Sequence, residues 1–136
     1  MGWLIDTNVW IAVERGALSG ADIHVVTRQE PVYFSPVNIA EIWFGLELLP
    51  PGQKPRAAAM LRRLRRKPQL RITIETAQTF GMLAAKLRKS GRDPHVRVND
   101  PWLAAQAIQR QFRLLTSNAK DFADIPGLRL VVLGRP

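Results

Sequence analysis

The sequence predicts an α/β fold, a mostly parallel five-stranded sheet flanked by helices, in a single domain spanning 1–136. Three observations predict it. Short apolar runs alternate with helical periodicities along the chain, and right-handed crossovers turn that order into parallel strands. The length, 136 residues, suits one core, since such a chain buries roughly 68–70% of its unfolded surface. Hydrophobic content of 46% and charged content of 23% are those of an ordinary globular protein, and no linker, repeat or low-complexity tract divides it.

The elements follow in order. Trp3-Leu-Ile5 is an apolar run ending in Asp6-Thr7-Asn8, three good helix caps, so a buried strand and a helix start are expected. One or two helical turns cover Val9 to Glu14 and close near Gly16. Residues 19–30 are ambiguous and read as a further helical piece. Val32-Tyr33-Phe34 is the second strand. Ser35-Pro36 places a cap before a proline at the first helical position. That helix runs to Leu49 and stops at Pro50-Pro51-Gly52. Another spans about 54–67 and ends at Pro68, and Leu70-Arg-Ile72 is a short third strand. Residues 76–90 form the cleanest amphipathic helix, with Phe80, Leu83, Ala84 and Leu87 on one face and Gly91 as its stop. Asp100-Pro101 opens a helix to about Phe112. Arg113–Thr116 is a strand, 119–124 a short helix and Leu128–Leu133 the last strand.

Composition removes several classes of function. There is no cysteine, hence no disulfide framework, thiolate metal site or cysteine nucleophile. The two histidines, His24 and His95, are too few for a histidine-rich zinc centre. No run of 18 apolar residues exists, so no membrane is expected among the partners. The opening Met-Gly-Trp-Leu-Ile-Asp has no basic segment, so no secretory signal is expected and a cytoplasmic location is the default. The four tryptophans, at 3, 10, 43 and 102, fall inside predicted elements and are expected in the core.

Charge is uneven. Formal net charge is +9, and residues 54–97 hold 13 Lys/Arg against only Glu75 and Asp93. A basic face attracts polyanions independently of sequence. Arg62, Arg63, Arg65, Arg66 and Lys67 are dense enough to follow a nucleic-acid backbone, although each also fits a solvated helix face.

Asp6, Asp100, Asn118 and Asp121 fall where strands end and helices begin, the edge at which parallel sheets build sites. Each alone has a plainer reading as a cap: Asp6 for the first helix, Asp100 before Pro101, Asn118 with Asp121 as a capping box. Glu41 has no such reading. Its helix is apolar nearly all round and is expected to be buried, and Asn38, Glu41 and Gly45 form one narrow polar-and-small stripe. A buried carboxylate requires a partner, either a basic side chain or a metal ion. Asp6, Glu41, Asp100 and Asp121 could converge on one cleft only with a counter-cation. Oxygen donors alone select hard ions, Mg²⁺ or Mn²⁺.

At these residues the sequence resembles the PIN domain family, in particular VapC-type toxin ribonucleases. The matching segments are Leu4-Ile-Asp6-Thr-Asn8, Ser35-Pro-Val-Asn38-Ile-Ala-Glu41-Ile-Trp-Phe-Gly45, Asn99-Asp100-Pro-Trp-Leu and Leu115-Thr116-Ser-Asn118-Ala-Lys-Asp121-Phe122. The resemblance implies a Mg²⁺- or Mn²⁺-dependent endoribonuclease. Asp6, Glu41 and Asp100 would be its principal metal ligands, and the place of the fourth acid matches either Asn118, an amide in this sequence, or Asp121. Asn8, Asn38, Thr116 and Asn118 would support those ligands. RNA substrate, a separately encoded antitoxin and a homodimer are the partners implied. A non-catalytic, nucleic-acid-binding PIN-like domain is the alternative. An acid-pocket phosphatase or receiver fits less well: Asp6-Thr7-Asn8 lacks a second Asp, and no Lys lies in Thr116-Ser117-Asn118.

Overall fold

A computed structural model describes residues 2–133; the remainder of the expected 1–136 span lies outside the described residues. Four parallel strands, β1 (Trp3–Ile5), β2 (Val32–Tyr33), β3 (Arg113–Thr116) and β4 (Arg129–Val132), form one sheet in the order β2-β1-β3-β4. Among the described residues six α-helices surround it: α1 (Thr7–Glu14), α2 (Gly20–Thr27), α3 (Pro36–Leu48), α4 (Lys54–Arg65), α5 (Ile74–Lys89) and α6 (Asn99–Arg110).

The sheet therefore has four strands among the described residues, not five. Leu70–Ile72 forms no ladder: the one isolated bridge beside it pairs Gln69 with Phe34, and Leu70 N donates to Phe34 O at 2.7 Å. Thr73 caps α5 immediately afterwards, taking the Thr76 N–H on its hydroxyl, so the run has no length left to pair. The same cap starts α5 at Ile74, two residues before the apolar periodicity does. Residues 119–124 shrink to one 3₁₀ turn, Ala119–Asp121.

Alternating side chains divide the core between the two faces of the sheet, as strand geometry requires. Leu4 and Leu114 point to the α5–α6 side, where they meet Leu83, Leu87, Leu103, Ala104 and Ala107. Trp3, Ile5 and Leu115 point the other way, onto Val9 and Ile23. A third cluster, Phe34, Ile42, Met60, Leu61 and Leu64, holds α3 and α4 together. Ser35 starts α3 with a full capping box: its hydroxyl accepts from Val37 N, and Asn38 Oδ1 accepts from Ser35 N. The Ser35 hydroxyl also donates to Gln106 Oε1, and Gln106 Nε2 donates to Leu70 O, so α3, α6 and the Leu70 segment share one buried polar link.

The connection out of β1, through α1 and α2, places β2 on one side of β1, whereas β3 lies on the other. Strand connections thus part company between β1 and β3. A crevice opens at such a switch point, at the carboxyl ends of the two strands. Asp6 and Thr116 flank it.

Candidate active site

The carboxylate of Asp6 has both oxygens occupied. Oδ1 accepts from Thr7 N at 2.8 Å, the expected cap of α1, and Oδ2 accepts from the Thr116 hydroxyl at 2.8 Å. Pairing of Ile5 with Leu115, and the 2.8 Å bond from Asp6 N to Leu115 O, fix this register. Glu41 Oε1 accepts from the Thr7 hydroxyl at 2.7 Å, and Asn38 Nδ2 donates to the same hydroxyl at 2.8 Å. Thr7 therefore ties Glu41 to Asn38, the residue that completes the Ser35 capping box of the same helix. Hydrogen bonds from Thr7 and Asn99 and the charge of Arg97 favour the ionised form of Glu41. Asn38 is fully buried and serves the Ser35 cap and Thr7 together. Replacing Asn38 by Ala strands these buried groups and is expected to destabilise the protein by about 2 kcal/mol or more, read as a lowered urea midpoint with an unchanged slope.

Two of the proposed caps are not caps. The residue preceding α6 is Val98, and Asp100 lies inside the first turn with its Oδ2 accepting from Arg97 Nε at 2.9 Å. Asn118 makes no side-chain cap. Its Nδ2 donates to Asp121 Oδ2 at 3.0 Å, and its backbone N–H donates to the Thr116 hydroxyl at 3.0 Å. Asp121 is thus the acid of this pair that joins the cluster, with Asn118 steadying it. Asp121 Oδ2 also accepts from Arg97 Nη2 at 2.7 Å. The sequence reading passed over Arg97. Its signal was present: the last base of the polycationic stretch stands three residues before Asp100.

The four acids act on one another. Burial, then the charges of Asp100 and Glu41, push Asp6 up to about 6, against the lowering effect of its Thr116 and Thr7 hydrogen bonds. Burial also raises Glu41, with a further upward push from Asp100. Asp100 is raised by burial and by Asp121, with Arg97 pulling the other way. Four oxygen-donor acids that repel one another and lie in a switch-point crevice are a donor set fit in kind for a hard divalent cation. As the side chains lie, no three acidic or histidine residues among the described residues are arranged to hold a metal ion. Asp100 and Asp121 are turned to Arg97, and Asp6 and Glu41 to Thr7 and Thr116.

The remaining expectations divide. Asn8 is half-buried, and its Oδ1 has no hydrogen-bond partner among the described residues. Arg62, Arg65 and Arg66 border an open cleft of about 350 Å³ on α4. Lys67 is exposed, whereas Arg63 is bound to Glu14 at 2.6 Å. Contrary to the expectation of a buried helix, α3 leaves Trp43, Phe44 and Leu48 exposed at 47%, 68% and 70%. The core cannot reach that face, because α4 and the sheet cover only the Val37 and Ile42 side. Trp43 is accordingly not a core residue.

The PIN domain family model matches residues 3–128. This chain is a PIN domain. Among its relatives, the Ribonuclease VapC of Rickettsia bellii is 27% identical over 135 residues, covering 98% of this chain and 97% of that protein. Ribonuclease VapC5 of Mycobacterium tuberculosis is 29% identical over 133 residues, covering 97% and 93%. Among solved structures, the VapBC2 complex of Rickettsia felis bound to a promoter DNA fragment superposes with a TM-score of 0.84 at 21% identity, covering 98% of this chain and 100% of that one. The PIN domain's acids therefore sit on the expected scaffold, and no helix among the described residues is long and apolar enough to cross a membrane.

Proposed function

We propose that this PIN domain is an endoribonuclease that uses Mg²⁺ or Mn²⁺, and that it is the toxin of a cytoplasmic toxin–antitoxin pair. One observation carries the reading: Asp6, Glu41, Asp100 and Asp121, from four separate elements, meet at the β1–β3 crevice, where neighbouring acid charges push Asp6, Glu41 and Asp100 up. Ribonuclease relatives spanning nearly the whole chain support it. Asp6, Glu41 and Asp100 would hold the metal, with Asp121 completing the set. Bound there, a divalent cation would supply an acidified water and charge neutralisation at the phosphate. Thr7 and Thr116 fix the directions in which Glu41 and Asp6 present their oxygens, and Asn38 fixes Thr7. The exposed arginines at the end of α4 and just beyond it, Arg62, Arg65 and Arg66 with Lys67, would bind the RNA backbone through phosphate contacts.

An antitoxin has a surface available. A groove of about 460 Å³ between α1, α3 and α4 runs from Glu41 along Ile42, Leu46 and Met60 and carries Arg15 and Arg56. The exposed Trp43, Phe44 and Leu48 adjoin it on α3 and suit either that partner or a second copy in a homodimer.

One observation favours a second reading, a PIN scaffold that binds nucleic acid without cutting it: Arg97 already pairs with two of the acids. Incubating the purified chain with RNA separates the two. Cleavage that requires Mn²⁺ and stops with EDTA is expected. Binding that is sensitive to salt but indifferent to EDTA, with intact RNA, would establish the second reading instead.

A further inference from the structure

We propose that Arg97 is a built-in, displaceable counter-ion of the acid cluster, which a metal ion must evict from Asp100 and Asp121 to be bound. The proposal rests on the metal-dependent reading above and adds a regulatory step to it. One guanidinium spans two carboxylates, through Nε to Asp100 at 2.9 Å and through Nη2 to Asp121 at 2.7 Å. Asp100 is buried and Asp121 nearly so, with side chains 5% and 10% exposed, whereas the Arg97 side chain is 59% exposed. The acids are thus fixed, and the base reaches them from solvent. It can leave without disturbing the core.

Its backbone is set for this task. Arg97 has φ +54°, in the left-handed region, which costs a residue bearing a Cβ about 1–2 kcal/mol. Asp100 N donates to Arg97 O at 3.0 Å, so the turn that strains Arg97 also leads into α6. Such strain persists where surrounding contacts hold it, and here the two ion pairs are contacts that do. With Arg97 in place, two of the four acids share one guanidinium, which offsets part of the cluster's negative charge without metal. Release of Arg97 returns both carboxylates to a cation-binding role.

The test measures metal binding directly. Mn²⁺ is titrated into the EDTA-stripped full chain, with free Mn²⁺ read by electron paramagnetic resonance, for the wild type, Arg97→Gln and Arg97→Lys. Loss of two charge-assisted hydrogen bonds to the competitor is expected to tighten Mn²⁺ binding by about tenfold in Arg97→Gln. Arg97→Lys should fall between, since an ammonium lacks the fork that spans both acids. In the wild type, NMR should show Arg97 Nε–H protected from exchange in EDTA and unprotected at saturating Mg²⁺. That second measurement stands even where a variant does not fold. Mn²⁺ binding that is equal or weaker in Arg97→Gln, or unchanged Nε–H protection, overturns the counter-ion role while leaving the metal-dependent reading intact. No Mn²⁺ binding by any form overturns both.

Discussion

Replacing Asp6 by Asn is expected to remove RNA cleavage while leaving the protein folded. The loss should be at least about 10²-fold, because changing residues that merely orient metal ligands already costs about 10–100-fold, and Asp6 is placed here as a ligand. The fold should survive for a geometric reason. The new amide oxygen can still accept from Thr7 N, and the new amide nitrogen can donate to the Thr116 hydroxyl, which has a second lone pair beside the one taken by Asn118 N. Cleavage rate with Mn²⁺ and the urea midpoint are measured on the same preparation. A variant cleaving within a few-fold of wild type would sink the assignment of Asp6. A variant that fails to fold would show that the acid is structural instead.

Raising pH is expected to weaken the metal-free protein through the window in which most proteins gain stability. Asp6 rises from an ordinary 3.8 to about 6 in the fold. The folded chain therefore binds this proton more tightly than the unfolded chain does. Stability linked to that proton is fully present below pH 3.8 and is lost as pH rises through about 6. A shift of this size corresponds to about 3 kcal/mol. Glu41 and Asp100 are raised as well and act in the same direction. In EDTA, the urea midpoint should fall from pH 5 to pH 7.5, and Asp6→Asn should flatten the slope. Saturating Mn²⁺ should flatten it too, since a cation bound to the ionised acids stabilises the fold most where they are ionised. A midpoint that holds level or climbs across that window in EDTA would refute the buried, mutually repelling arrangement of these acids.

How far the site was legible depended on what each residue needed from its neighbours. Asp6 and Glu41 could be singled out because their surroundings are local: one ends an apolar strand, and the other interrupts an apolar helix. Asp100 could be singled out for its place but not for its bond, since the cap reading of Asp-Pro is locally as good as an ion pair with Arg97. The Asn118–Asp121 pair remained open for the same reason, and only the hydrogen bond between their side chains assigns their roles. The third strand failed on length. Leu70–Ile72 has strand chemistry, yet the Thr73 cap takes the backbone away before a ladder can form. The α3 face failed because periodicity shows that a surface is apolar, not what covers it.

Taken alone, the order of apolar runs and helical periods determined a parallel α/β scaffold, and the absence of cysteine left oxygen donors as the chemistry of any site built from the four spaced acids. Those properties follow from the chemistry of short segments, which a chain carries wherever it folds. The cation that now faces the acids, the threonine that holds Glu41, and the exposure of Trp43 were decided only in three dimensions. Arg97 reaches Asp121 across 24 positions and Asn38 reaches Thr7 across 31. Contacts over such distances depend on which strands lie side by side, and the strand order, with β1 and β3 parting at the crevice, is a property of the packed sheet.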